Sequence, residues 1–298
     1  MKLKVSWASS RNRRKENQDN LSIGEQAAFP EGIEERHISG QVLMDIRENN
    51  NEVLFAAVAD GMGGCASGKY AAAHCLEVLR ESFYSFYNTA TETEAEEQTA
   101  LCEPLHTCTT GESPLPVLRP VSQLLPLRAA SLLEYEEEAE PAPSRLMAAA
   151  MEARDALAET YRDLDGGCTL CAVSVCANGE VEWVSAGDSG IWLLHSGKLS
   201  LINHPLDNQY YSHKALGLPA DPRREKSILL NYLGATDAEL HTGSFSLHHG
   251  DTLVLCTDGV ELEKTLSRFL LKLNGSADQL CAISNASDNA TAIVIRFV

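Results

Sequence analysis

No apolar run in the 298-residue chain approaches the roughly 18–20 residues that a bilayer-spanning helix needs, so no membrane segment is expected. The opening residues, Met1 to Trp7, lack the apolar stretch of a secretory signal, and a cytoplasmic location is the expectation. Basic residues are scarce. The 24 Lys and Arg stand against 42 Asp and Glu, a formal net charge of −18, which argues against a nucleic-acid backbone as partner. Half of that charge is local, because eleven acids and two bases between Glu92 and Glu140 leave −9. What remains is moderately acidic and suits a site that collects divalent cations. No internal repeat is visible. The nine cysteines are an odd count in a chain without an export signal, so a disulfide framework is not expected.

Cys168-Thr-Leu-Cys171 has the spacing of a metal or redox pair. It lies in a strand-like run, however, and period-2 alternation puts the two thiols on opposite faces. Buried free thiols are expected there rather than zinc or redox chemistry.

What is present is a set of apolar strands punctuated by carboxylates. Strands are expected at Leu3–Ala8, 20–23, 53–58, 168–177, 180–186, 190–195, 243–247, 252–256 and 291–298, and 227–233 is a further candidate. Asn178-Gly179 marks a hairpin. Apolar spacing at Ala72, Leu76, Leu79, Phe83 and Phe86 predicts a helix over 68–88. A second helix is expected from a Ser144 cap to Asp163, and a third over 261–273. Residues 29–52 read as a loop or weak hairpin, and 203–226 as irregular. Residues 89–143 are acidic and proline-containing, with at most one short helix around Leu124–Leu133. They read as an insertion into a single domain spanning 1–298. Strand-rich stretches without regular βαβ alternation argue an α+β fold of packed antiparallel sheets.

Three of these strands run into or out of an isolated Asp: 53–58 into Asp60, 252–256 into Asp258, and 291–297 out of Asp288. Asp19 heads a fourth. One Asp beside Gly or Asn is a turn former, but four at strand ends suggest a shared site at one edge of the sheets. Carboxylates gathered there would repel one another and need cations. Oxygen ligands without His or Cys select hard ions, Mg²⁺ or Mn²⁺. Ligands enough for two ions imply a bridging water acidified for attack.

Arg14-Lys-Glu-Asn17-Gln18-Asp19, Asp60-Gly-Met-Gly-Gly64, Gly167-Cys-Thr169, Gly187-Asp188-Ser189, Thr257-Asp258-Gly259 and Asp288-Asn289-Ala-Thr291 follow one another in the chain. Their content and order resemble the protein phosphatase 2C family of metal-dependent serine/threonine phosphatases, in its bacterial branch. The resemblance covers residues 14–297. It implies a four-layer αββα sandwich, two central antiparallel sheets flanked by helices, with a centre for two Mn²⁺ or Mg²⁺ ions at one end. Asp60 would bridge both ions, the Gly61 carbonyl would bind one, and Asp19, Asp258 and Asp288 would hold or orient the other. Arg14 would grip the phosphate. Direct attack of the bridging water would then hydrolyse phosphoserine or phosphothreonine without a phospho-enzyme. The implied partner is a phosphoprotein made by a serine/threonine kinase, met by a monomeric enzyme that binds neither nucleic acid nor membrane.

The chain also departs from the family pattern. Gln18 stands where many relatives carry Glu, and Gly190 where an Arg commonly follows Gly-Asp-Ser. Met62 replaces the His that eukaryotic relatives offer as general acid. A weaker third ion would fall to Asp165 or Asp163. The competing functions are a catalytically inactive regulatory or binding module and a thiol or zinc protein built on Cys168 and Cys171. Retention of Asp19, Asp60, Asp258 and Asp288 together favours the active phosphatase.

Overall fold

Val53–Asp60 is apolar at every position before its terminal Asp because both faces of that strand are covered. Leu54, Ala56 and Val58 point into one buried cluster, while Phe55, Ala57 and Ala59 point into another. The computed structural model describes the chain apart from residues 26–28, 30, 48–51, 63–66, 101–142, 162, 163, 165, 261–274 and 285–286. For residues 86–100 and Pro205 it describes the backbone alone.

Two antiparallel sheets stack on each other. The six-stranded sheet has the order β3 (His37–Asp45), β1 (Lys2–Ser10), β11 (Ala290–Phe297), β10 (Thr252–Cys256), β7 (Gly190–His195), β8 (Lys198–Leu201). The five-stranded sheet has the order β2 (Asp19–Ile23), β4 (Val53–Asp60), β5 (Leu170–Cys176), β6 (Glu180–Ala186), β9 (His241–Ser246). Between them lie Leu3, Val5, Leu54, Val58, Val173, Ile191, Leu253, Leu255, Ile293 and Ile295. Two long helices, α1 (Gly68–Ala100) and α2 (Arg145–Tyr161), cover the outer face of the five-stranded sheet. Phe55 locks α1 down, its ring 5.1 Å from that of Phe83. Burying a side chain of that size contributes about 1.5–3 kcal/mol. On the outer face of the six-stranded sheet, Val254, Cys256, Ala292 and Val294 meet Ala277, Leu280 and Cys281 of the short helix α5 (Ala277–Ala282). The layers therefore run helix, sheet, sheet, helix, the αββα sandwich that the motifs imply.

Ser144 caps α2 as expected, its Oγ accepting from the backbone N–H of Met147 at 3.3 Å. The β5–β6 hairpin closes through Asn178 and Gly179, with Gly179 at φ +89°. Cys168 and Cys171 lie in different buried clusters on opposite faces, both as free thiols.

Several expectations need correction. The first helix continues to Ala100, twelve residues past its expected end at 88. Residues 37–45 form a full edge strand paired with β1 from Lys2↔Asp45 to Ser10↔His37. Its residues are mostly exposed, so no apolar alternation betrayed it. Among the described residues, 227–233 make only isolated bridges, Asn208↔Leu229, Cys168↔Leu233 and Leu233↔Ala235. The segment 203–226 holds a 3₁₀ turn (Pro205–Asp207) and two short helices, α3 (Gln209–Ala215) and α4 (Pro222–Glu225). The expected helices at 261–273 and Leu124–Leu133 lie outside the described residues, as do Asp163 and Asp165. Among the described residues, no helix is long and apolar enough to cross a membrane.

Candidate metal centre

Antiparallel pairing collects the carboxylates. The C-terminal ends of β4, β6 and β10 and the N-terminal ends of β2, β5, β7 and β11 all fall at one end of the sandwich. In the β2–β4 ladder Asp19 is registered directly opposite Asp60. In the β10–β11 ladder Cys256 pairs with Ala292, which brings Asp258 beside Asp288. Arg14, Asp60, Gly61, Met62, Asp188, Asp258 and Asp288 line one cleft of about 990 Å³. Asp19 lies fully buried beneath it.

Local hydrogen bonds hold each acid. The Asp60 backbone N–H donates to Thr169 Oγ1 at 3.1 Å, and the Thr169 N–H returns a bond to the Asp60 carbonyl at 2.8 Å. Thr257 Oγ1 donates to Asp19 Oδ2 at 2.8 Å and accepts from the Thr291 N–H at 3.0 Å. Asn289 fixes the Arg11–Gln18 loop over the cleft: its Oδ1 accepts from the Gln18 N–H at 3.0 Å, and its Nδ2 donates to the carbonyls of Arg11 and Glu16. At Gly61 a Cβ would sit 2.3 Å from the Gly68 carbonyl oxygen, so only glycine lets β4 turn there into α1.

The electrostatics are those of like charges without enough counter-charge. Burial pushes the Asp60 carboxyl well up, with Asp19 and Asp258 adding to it. Burial also drives Asp19 to about 7. Asp258 is raised by burial and by Asp288. Asp60 lies within hydrogen-bonding reach of both Asp19 and Asp258, an approach that carboxylates tolerate only by sharing a proton or a cation. Asp19 Oδ1 is buried and meets no donor among the described residues. An all-oxygen donor set with an orphaned buried oxygen fits hard divalent cations.

Cationic groups stand at the rim. Arg14 Nη2 is 2.8 Å from Asp288 Oδ2, and Arg14 Nε donates to the Ser287 carbonyl at 3.1 Å. Arg223 and Lys226 line the opposite wall, which is built by the α4 segment. That wall comes from the segment expected to be irregular, 203–226, and its last residue, Lys226, caps α4. Asp188, which the Gly187-Asp188-Ser189 motif contains but to which no role was assigned, is a fourth carboxylate lining the cleft, and burial and then Asp258 raise it to about 7. Asn208 Nδ2 donates to Asp188 Oδ2 at 3.0 Å and so ties the wall to it. The signal was available in Gly187-Asp188-Ser189, a polar turn between two buried strands. Of the expected site residues, Arg14, Asp19, Asp60, Gly61, Asp258 and Asp288 come together, while Asp165 lies outside the described residues.

Two stacked antiparallel sheets between helices, opening at one end on a carboxylate cleft, define the fold of the metal-dependent protein phosphatases. The family model for protein phosphatase 2C matches residues 42–291, and the chain belongs to that family. Solved structures agree on the fold. The Mycobacterium tuberculosis serine/threonine phosphatase PstP is 19% identical, with 100% of this chain and 99% of that one covered at a TM-score of 0.63. The PstP catalytic domain in complex with two manganese ions is 21% identical, with coverage of 99% and 98% and a TM-score of 0.60. Stp1 from Staphylococcus aureus is 15% identical, with coverage of 99% and 94% and a TM-score of 0.63. No curated protein sequence matches the chain.

Proposed function

We propose that the chain hydrolyses phosphoserine and phosphothreonine in cytoplasmic phosphoproteins, opposing a serine/threonine kinase. The observation that carries this is the carboxylate cluster of Asp19, Asp60, Asp188, Asp258 and Asp288 in and beneath one cleft, with Arg14 at its rim. The acidic segment 89–143 would be an insertion into a single catalytic domain.

Asp60 and the Gly61 carbonyl, with Asp19, Asp258 and Asp288, would hold two ions of Mn²⁺ or Mg²⁺, and Asp188 offers a further oxygen. When bound, such ions supply the Lewis acidity that makes water a nucleophile near neutral pH and offsets phosphate charge. The protein's own groups do the rest. Arg14 presents a planar guanidinium to the phosphate oxygens, where two charge-assisted bonds are available. Asp288 holds that guanidinium at the mouth of the cleft. Thr169 and Thr257 keep Asp60 and Asp19 in place without adding charge. Met62 lines the cleft but has no proton to give, so the leaving alkoxide takes its proton from water or from another residue of the cleft.

Treatment with EDTA is expected to abolish cleavage of a chromogenic phosphate monoester. Mn²⁺ or Mg²⁺ should restore it and Zn²⁺ should not, because the donor set is all oxygen. Full turnover by a metal-stripped sample would overturn the assignment. Arg14→Ala should raise KM about tenfold or more, the loss expected for a charge-assisted contact. The fall in kcat should be smaller, since gripping the phosphate acts in the ground state as well. A change confined to kcat would place Arg14 on the transition state alone.

A further inference from the structure

A second cluster of ligand-bearing side chains lies outside the lining of the carboxylate cleft, where the edges of the two sheets meet. His241 opens β9, the edge strand of the five-stranded sheet, opposite Ser185 of β6. His204 follows β8, the edge strand of the six-stranded sheet, and Asp207 ends the adjoining 3₁₀ turn. His241 Nε2 is 3.1 Å from Asp207 Oδ1. The rings of His204 and His241 stack with centroids 4.8 Å apart and planes 12° from parallel. One ligand atom from each of the three residues lies within 4.8 Å of the other two.

An Asp–His pair alone does not account for this arrangement. Asp207 is only 6% exposed, and its second oxygen, Oδ2, is buried without a hydrogen-bond partner among the described residues. Leaving a buried acceptor so is destabilising unless a further partner meets it. The other His/Asp cluster, His195, His248 and Asp251, shows the contrast. There Asp251 Oδ1 meets His195 Nδ1 at 2.8 Å, and Oδ2 accepts from the His248 backbone N–H at 2.9 Å, so both oxygens are used in closing a turn. At Asp207 one oxygen remains to be satisfied, beside two imidazoles that reach solvent.

We propose that His204, Asp207 and His241 bind a single divalent transition-metal ion of the Zn²⁺ class. Two imidazoles and a carboxylate make a borderline donor set that favours Zn²⁺ over Mg²⁺. Ligand atoms about 2.0–2.1 Å from a tetrahedral zinc sit roughly 3.3 Å from one another, close to the Asp207–His241 separation. The exposed side of His204 leaves the fourth position to water. The carboxylate is already oriented, because Asn231 Nδ2 reaches Asp207 Oδ1 at 3.4 Å while the Asn231 amide is held by the Glu239 backbone at 2.9 and 3.0 Å. Such outer partners fix the ligating group and raise affinity. The two sites would thus be sorted by ligand hardness, with hard ions in the cleft and a borderline ion at the sheet edges.

The test is binding of Zn²⁺, and of Co²⁺ as its visible-absorbing substitute, to the full chain freed of metal. Wild type and Asp60→Asn are both expected to bind one tight equivalent that excess Mg²⁺ does not displace. In His204→Ala and in His241→Ala that equivalent should weaken at least ~10-fold, the loss typical for disturbed metal sites. His204 is exposed, so its variant keeps the fold and carries the test if His241→Ala unfolds. Equal Zn²⁺ affinity in wild type and His204→Ala would overturn the proposal. So would loss of the tight equivalent in Asp60→Asn, which would put the ion in the cleft. The readout is binding, so failure here leaves the phosphatase assignment untouched.

Discussion

Asp60→Asn is expected to lower kcat on a phosphate monoester at least ~10³-fold at saturating Mn²⁺, with the fold intact. Asn keeps the size of the side chain, and the backbone bonds to Thr169 do not depend on the charge. What goes is the negative charge at the centre of the cluster, opposite Asp19 in register and within reach of Asp258. Without it the site loses the group proposed to serve two cations at once. Uncatalysed monoester hydrolysis is so slow that no background reaction hides the loss. Asp258→Asn should behave similarly. Retention of more than a tenth of wild-type turnover by Asp60→Asn would show that the cluster is not the reacting centre.

The residues of this centre were legible because the chemistry sits in local sequence. A carboxylate followed by glycine, closing an apolar run, marks the end of a strand buried on both faces, and β4 and β10 each end that way. Antiparallel pairing then needs only to bring such ends to one edge. Asp188 was harder to place because its turn joins β6 to β7, strands of different sheets. The sequence displays the turn, while the neighbour that gives it meaning, Asp258, lies 70 residues on. The wall of the cleft escaped for a different reason. Its helices are short and bury nothing, and are held by the caps of Asn208 and Asp221 rather than by apolar periodicity. Strand β3 runs along an exposed edge, and its apolar residues, Ile38, Val42, Leu43 and Met44, do not alternate regularly with polar ones, so pairing with β1 rather than burial creates it. Helix α5 did leave a signature, the Ser276–Gln279 capping box, short enough to pass for a turn.

The metal-free protein is expected to lose stability as the pH rises from 5.5 to 8, and saturating Mn²⁺ to restore it. The folded-state carboxyls of Asp19 and Asp188 are raised to about 7, chiefly by burial. In the unfolded chain an aspartate titrates near 3.9. Between those values the folded protein keeps protons that the unfolded chain has released, so stability falls with rising pH. The contribution is complete below about pH 4 and fully lost above about pH 7. At 1.36 kcal/mol per unit, the part lost between pH 5.5 and 8 is about 2 kcal/mol for a single such carboxyl. Burial and mutual repulsion raise Asp19, Asp60, Asp188 and Asp258 together, so the steps belong to the cluster rather than to one residue. Even so, a loss of this size is a large fraction of the 5–15 kcal/mol that typically holds a domain together. Divalent cations replace the shared protons as counter-charge, so the slope should flatten when Mn²⁺ is present. Urea unfolding in EDTA and in Mn²⁺ at the two pH values measures both effects. Asp60→Asn should show a shallower slope in EDTA, because one of the crowded charges is gone. If stability in EDTA instead rose with pH, the carboxylates would be paired mainly with cationic side chains, and the centre would not depend on bound metal to hold its shape.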